Sequence, residues 1–343
     1  MKFSIVTPSF CQLELLRLCI ASVRDQVVEE ETVDSSLLID GSPEESEINN
    51  NQSTISRLRV EHIIQDGGTP GIEEFAREVG AAFYRDGEKI FDSSLMIAGS
   101  RNEEAPRNEK RENGLSTPNY TCRVFCEADS GMYDAINHGF RQSPGDVYAW
   151  LNCDEQYLPA TLKRVAGFLE NSPSIDVVVG DTILLDENLQ PKAYRKAVTP
   201  QRRYLQAFQM NLHSSSLFFR RDILDRGLWL GSRFRSIGDA EWVGRLLDSK
   251  VRFAMLDRPL STFVLGSQNL SGNALSEKEA GIWRAELSLS RMEKALLKLR
   301  NGVARFAHGA YLPRKCAVQI YTYGDLDART YLPKRWLDFR FRT

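Results

Sequence analysis

Five short polar clusters in this chain each follow an apolar, strand-like run: Thr7-Pro8-Ser9, Asp66-Gly67-Gly68, Asp129-Ser130-Gly131, Asn152-Cys153-Asp154-Glu155 and Gly180-Asp181. In an open parallel sheet ligands bind beyond the carboxyl ends of the strands, so such clusters fall along one edge and can act together. Taken singly, each is an ordinary turn, because Asp, Gly, Asn and Ser are the residues turns use. Their recurrence is what points to a site. In the fourth cluster, alternation puts Asn152 and Asp154 on one face and sends Cys153 toward the core. Two oxygen donors on one face suit a hard divalent cation that keeps waters and takes its other ligands from phosphates. A solvated turn is the better account of that tetrapeptide alone, and a β-turn accounts equally well for Gly180-Asp181.

Those clusters need particular elements to position them. Phe3 to Thr7 is a β-rich run ended by Pro8, and Leu13 to Val27 carries apolar residues at helical spacing. Val60 to Gln65 reads as a strand, Ile72 to Phe83 as a helix, Cys122 to Cys126 as a strand, Met132 to Gln142 as a helix and Val147 to Leu151 as a strand. Pro159 is expected in the first turn of a helix ending near Asn171, where its missing N–H costs nothing. Asp176 to Val179 and Leu217 to Phe219 read as strands, Asp222 to Arg226 and Ala240 to Leu247 as helices, and Val251 to Leu256 and Ser261 to Val264 complete the sheet. The alternation predicts an α/β fold with βαβ crossovers and a mostly parallel central sheet flanked by helices. Two polar stretches, about residues 28–58 and 85–119, read as insertions into a domain spanning residues 1–265, the second as a mobile loop. Residues 266–343 read as a helical, basic and aromatic extension, with a long helical pattern from Glu277 to Leu299.

Composition narrows the function class. The 343 residues are 42% hydrophobic, enough for a large core, and 44 Lys plus Arg against 46 Asp plus Glu exclude a generally basic nucleic-acid binder. Six scattered cysteines, most in apolar runs, read as reduced thiols of a cytosolic protein. The spacing of Cys122 and Cys126, with no second cysteine pair, argues against zinc. Pro8 and the polar residues after it argue against a signal peptide, and no apolar run reaches the roughly 18 residues that spanning a bilayer needs.

The run EADSGMYDAINHGFRQSPGDVYAWLNCDEQYLP, Glu127 to Pro159, is similar to the nucleotide-binding core of family 2 glycosyltransferases of GT-A fold. The family pairs a TPS-like start, an aspartate-glycine turn after the second strand, an Ala-x-Asn-x-Gly helix and a DxD-type metal motif. The counterparts here are Thr7-Pro8-Ser9, Asp66-Gly67-Gly68, Ala135-Ile136-Asn137-His138-Gly139 and Asn152-Cys153-Asp154, and the resemblance runs from Lys2 to Leu265. It implies that Thr7, Pro8 and Ser9 border the nucleotide and that Asp66, with Gly67, bonds the base or ribose. Asp129, Gly131, Asp134, Asn137 and Asn152 would help hold the nucleotide sugar, and Asp154 would bind Mg²⁺ or Mn²⁺ bridging the diphosphate. Asn152 replaces the first acid of the metal motif, which lowers the site's charge and leaves Asp154 as main ligand.

The resemblance extends to Gly238-Asp239-Ala240-Glu241-Trp242, similar to the acidic motif whose aspartate activates the acceptor hydroxyl. Asp239 would take the acceptor's proton in a single displacement that inverts the anomeric carbon, with Glu241 as the fallback. An Asp at a helix start also caps a free N–H, and the two roles are compatible. His213 is expected near the acceptor or diphosphate, with a structural role an even alternative, and Asp181 near the donor sugar or acceptor. His62 and His138 read as structural. The implied activity is transfer from a nucleotide-diphosphate sugar, a UDP-sugar foremost, to a glycan or lipid-linked acceptor in cell-envelope polysaccharide assembly. The tail residues Arg314, Lys315, Lys334, Arg335, Trp336, Arg340 and Arg342 are compatible with peripheral contact on the inner face of the cell membrane, a solvated face or oligomer contact being the alternatives. Two other readings compete: a noncatalytic nucleotide-sugar binder or assembly scaffold, and a nucleotidyltransferase, which should show a Gly-rich phosphate loop absent from Thr7-Pro8-Ser9-Phe10. No G-x-G-x-x-G follows the first strand, which disfavours a dinucleotide-dependent dehydrogenase.

Overall fold

A computed structural model describes residues 1–27, 58–93, 119–266 and 273–339. The chain opens with β1 (Lys2–Ser9) and α1 (Leu13–Arg24), followed by β2 (Arg59–Asp66), α2 (Ile72–Glu78), β3 (Ala82–Arg85), β4 (Glu88–Asp92) and β5 (Tyr120–Cys126). Next come α3 (Met132–Gln142), β6 (Val147–Trp150), β7 (Glu155–Tyr157), α4 (Thr161–Asn171), β8 (Val177–Leu185) and β9 (Pro191–Arg195). Then α5 (Arg202–Ala207), β10 (Leu217–Arg220), α6 (Asp222–Asp225), α7 (Gly238–Asp248) and β11 (Phe253–Val264) precede α8 (Ala274–Ala285), α9 (Arg291–Ala307), β12 (Arg314–Thr322) and β13 (Asp325–Leu337).

One 11-stranded sheet runs β4-β3-β5-β2-β1-β6-β10-β8-β11-β7, with β9 on β8. Its centre, from β3 through β5, β2 and β1 to β6, is parallel throughout. β10 runs antiparallel between β6 and β8, and β4, β7 and β9 add antiparallel edges. Register aligns Ser9 with Asp66, Asp66 with Cys126, and Val6 with Trp150. The parallel strands therefore end together, and the clusters after β1, β2, β5 and β6 share one edge. Chain order places β2 on one side of β1 and β6 on the other, so the switch point where such sheets bind ligands lies between Ser9 and Asn152.

Both faces of the sheet are covered, which is why its central strands read as nearly continuous apolar runs. Phe3 and Ile5 face α1, α2 and α4, packing with Leu16, Ile20, Phe75 and Leu162. Val6 and Ile63 face α3 and α7, in a core that includes Ile136, Phe140, Phe219 and Trp242. Trp150 meets Trp242 edge-on at 5.6 Å between ring centroids, a geometry aromatic quadrupoles favour.

The structure departs from the sequence-based expectations at several places. The helix expected from Ile72 to Phe83 stops at Glu78 because Gly80 turns the chain at φ +63°, and Phe83 lies in β3. Pro159 precedes rather than opens α4, since Ala160 occupies the position before it at φ +57°. Gly180-Asp181 is not a turn after a strand but the middle of the wholly buried β8. Val251 to Leu256 and Ser261 to Val264 merge into β11, with register shifts around Pro259. The extension is helical only as far as Ala307, as two helices. Beyond that, β12 and β13 form an antiparallel pair that packs Cys316, Val318 and Ile320 against Leu18, Leu158 and Tyr194. Arg329 fastens this hairpin to the end of α1 through two bonds to Asp25, 2.5 and 2.8 Å, and a third to the Tyr157 carbonyl at 2.8 Å. Of the two expected insertions, residues 28–57 and 94–118 lie outside the described residues, as do Arg340 and Arg342.

Candidate active site

A cavity of about 1010 Å³ opens at the carboxyl edge of the parallel strands. Pro8, Ser9, Gly67, Asp129, Gly131, Asn152, Asp154 and Asp239, all singled out from sequence, line it together. Between them they come from the ends of β1, β2, β5 and β6 and from the start of α7. Gly131 donates its N–H to the Asp129 carboxylate at 2.8 Å, which fixes that side chain at the entrance to α3.

The tetrapeptide after β6 concentrates the acidity. Burial pushes the Asp154 carboxyl above its ordinary value, and burial together with the Asp154 charge pushes Glu155 well above its own. Glu155 accepts the Asn152 N–H at 2.7 Å, while its Oε1 and the Asn152 Oδ1 are buried without a partner. Among the described residues no three His, Cys, Asp or Glu side chains converge into a closed metal cage. What is present is an open oxygen set, one carboxylate and one orphaned carboxamide oxygen beside the cavity. That chemistry fits a Mg²⁺- or Mn²⁺-type ion that draws its remaining ligands from water and a diphosphate.

Asp239 stands across the cavity in the first turn of α7. Burial raises its carboxyl above the ordinary range, and the Ala240 N–H at 2.8 Å and the Tyr133 hydroxyl at 3.1 Å, both on Oδ1, oppose that shift. A carboxylate with a raised pKa, held by two donors, can accept a proton from a bound hydroxyl. Tyr133, on α3, reaches α7 only because residue 238 is glycine: a Cβ there would lie 2.5 Å from the tyrosine ring. The loop before α7 is held from the C-terminal extension. Glu279 of α8 accepts the backbone N–H groups of Arg235 at 2.9 Å, Ser236 at 2.8 Å and Ile237 at 3.3 Å.

Other expected site residues have their polar atoms committed elsewhere. Asp66 is fully buried and accepts the N–H groups of Gly68 and Thr69 and the Thr69 hydroxyl, closing its own turn. The Thr7 hydroxyl bonds the His62 ring at 2.8 Å beneath the sheet edge. Asn137 clamps both backbone groups of Leu230, and Gly139 lets α3 close onto Val6, so the Ala-x-Asn-x-Gly motif acts as a packing device. Asp134 accepts from the Ser130 amide and hydroxyl at the start of α3. Glu241 points to Arg245, one turn along α7, at 2.9 Å. Asp181, buried in β8, accepts from the Tyr194 hydroxyl at 2.6 Å, Lys196 at 3.2 Å and the Ala197 N–H at 2.8 Å. None of these six expected site residues lines the cavity. His213 stands one residue from it, its ring 5.0 Å from that of Phe263 in the wall, and burial lowers its pKa to about 4, so it is neutral near pH 7. The sequence reading missed Tyr133, Glu279 and the cavity-lining Tyr323 of the C-terminal hairpin. Each acts from an element distant in the chain from the residues it serves, and only the tyrosines' large amphipathic side chains gave any signal.

Residues 117–228 match the family model described as glycosyl transferase family 2, a segment that holds Asp129, Asn152 and Asp154 but stops short of Asp239. A "PGL/p-HBAD biosynthesis glycosyltransferase" of Mycobacterium bovis is 28% identical over 160 residues, covering 46% of this chain and 59% of that relative. One of Mycobacterium tuberculosis matches with the same figures. The chain thus spans 59% of the length of the curated relatives it matches. Among solved structures, S. aureus TarS 1-349 in complex with UDP-GlcNAc matches at 14% identity and TM-score 0.47, covering 90% of this chain and 73% of that one. The mannosyltransferase PcManGT from Pyrobaculum calidifontis, in complex with GDP-Man and Mn2+, matches at 11% identity and TM-score 0.48, with the same coverage. Residues 117–228 of this chain are thus similar to glycosyltransferase family 2.

Proposed function

We propose that the protein transfers a sugar from a nucleotide-diphosphate donor to an acceptor hydroxyl with inversion, in polysaccharide or glycolipid assembly. The observation that carries this reading is the shared cavity. Asp154 and Asn152 stand at the end of β6, beside the switch point, and Asp239 faces the same space from α7. Pro8, Ser9, Gly67 and Asp129 provide the wall against which the nucleotide and donor sugar would lie. Asp154, with Asn152, would hold a divalent cation that supplies charge neutralisation for the diphosphate. Asp239 would receive the acceptor hydroxyl's proton as its oxygen bonds to the anomeric carbon and the bond to the diphosphate breaks.

A UDP-sugar is the first donor to test, and a glycan or lipid-linked acceptor the first class of acceptor. The test is release of nucleoside diphosphate from UDP-, GDP- and dTDP-sugars with and without Mn²⁺. Slow metal-dependent release from one donor, lost in Asp239→Asn with the fold intact, is expected. Tight binding of an intact donor with no release, even with acceptor glycans added, would favour the noncatalytic scaffold.

A further inference from the structure

We propose that α9 docks the protein on the surface of an anionic lipid bilayer. Met292, Leu296, Leu299, Val303 and Phe306 recur at spacings of four and three residues, and all are exposed, from 54% for Leu296 to 81% for Met292. At 3.6 residues per turn they fall within roughly 80° of arc and form a stripe about 21 Å long. The stripe lies opposite the face that holds the helix to the body, where Leu297 packs near Tyr204 and Ala207 and Asn301 bonds Asn211. An apolar stripe of this length left in water marks an interaction surface.

Charge selects the partner. Exposed Arg291 flanks the stripe on one side and Arg300 on the other, with Lys294 and Arg305 elsewhere on the helix and Lys298 turned back over the Phe208 ring at 5.1 Å. The helix's one acid, Glu293, is bonded to Arg203 and Ser290. An apolar stripe between basic flanks is the composition of a helix that lies in the headgroup layer of an anionic leaflet. Two copies meeting through this face would bring their basic flanks together. Among the described residues no helix is long and apolar enough to cross a membrane. Of the tail residues expected from sequence, Arg314 is committed elsewhere: it pairs with Asp257 and packs over the Tyr194 ring. The inference does not depend on the transferase reading.

The full chain is sedimented with vesicles of phosphatidylcholine alone and of phosphatidylcholine with phosphatidylglycerol, at low salt and at about 0.5 M NaCl. Binding to the anionic vesicles alone, weakened by salt, is expected. Leu299→Glu with Phe306→Glu should reduce it at least tenfold, and Arg291→Gln with Arg300→Gln by about fivefold per charge removed. Because these side chains are exposed, the melting temperature and nucleotide release should stay at wild-type values, which separates failure here from failure of the catalytic reading. Absence of binding to anionic vesicles overturns the proposal. So does concentration-dependent self-association that the stripe variant abolishes, which assigns the stripe to a second copy. A stripe variant that melts early overturns it too, because another part of this chain would then cover the face.

Discussion

Replacing Glu279 with alanine tests whether the C-terminal extension is part of the catalytic apparatus. Its carboxylate, 8% exposed, accepts three consecutive backbone N–H groups immediately before α7, two of them at 2.8 and 2.9 Å. Bonds to a charged acceptor contribute about 1.5 to 3 kcal/mol each, so losing two good ones and one long one should cost about 3 kcal/mol or more. In a chain of this size that corresponds to a fall of roughly 4 °C or more in melting temperature. Asp239 is two residues beyond the last anchored amide, and a misplacement of about 1 Å costs on the order of a hundredfold in rate. Asp129, Asn152 and Asp154, proposed for the donor side, stand on other elements. Nucleotide release by Glu279→Ala should therefore show kcat reduced about 10- to 100-fold with donor KM changed by less than about threefold. Glu279→Gln retains one acceptor oxygen for the Ser236 and Ile237 amides but turns an NH₂ toward Arg235, and it should fall between the two. A folded Glu279→Ala enzyme with wild-type kcat would refute the argument.

Asp239→Asn should lower kcat by about 10²- to 10⁴-fold with the melting temperature nearly unchanged, as expected for removal of a general base; a rate within a few-fold of wild type would remove Asp239 from that role. Because burial raises the Asp239 pKa, the acid limb of the kcat/KM profile should lie above the ordinary aspartate value near 3.9, with activity appearing as pH rises through it. Gly139→Ala puts a methyl 2.5 and 2.8 Å from the Val6 side chain and should destabilise by about 1 to 3 kcal/mol in chemical denaturation. His62, fully buried between Thr7 and Tyr120, has its pKa lowered to about 3. It stays neutral in the folded state while the unfolded chain takes up a proton below about 6.5, so its contribution is present above that pH and is lost as pH falls toward 3. At pH 5 this amounts to about 2 kcal/mol, and unfolding free energies of wild type and His62→Gln should differ in their change between pH 8 and pH 5 by that amount.

Much of the scaffold is legible in the sequence because its physics is local. The clusters at Ser9, Gly67, Asp129 and Asn152 mark strand ends, and parallel register brings strand ends together whatever the pairing details. What escaped depends on distant partners. Asp181 looks like a turn until Tyr194 and Lys196 are seen to make a buried charge tolerable within β8. The Ile72 pattern continued past Gly80 because apolar periodicity does not register a single positive φ. The hairpin from Arg314 to Leu337 carried alternating apolar residues and a Tyr323-Gly324 turn, which its basic charge obscured. Glu279 left no local mark and Tyr133 only its amphipathic ring, since their roles rest on contacts more than forty residues away in sequence.

The most direct test of the account is a melting-temperature panel of UDP, GDP, dTDP and CMP, each with and without Mn²⁺, on the wild type and on Asp154→Ala. A ligand that binds only the folded state raises the melting point, by about 2.7 kcal/mol of stability at a hundredfold excess over its Kd. The account predicts stabilisation by one nucleoside diphosphate that grows with Mn²⁺, and loss of the metal-dependent part in Asp154→Ala. No shift with any nucleotide, or an equal metal-dependent shift in the variant, would contradict it.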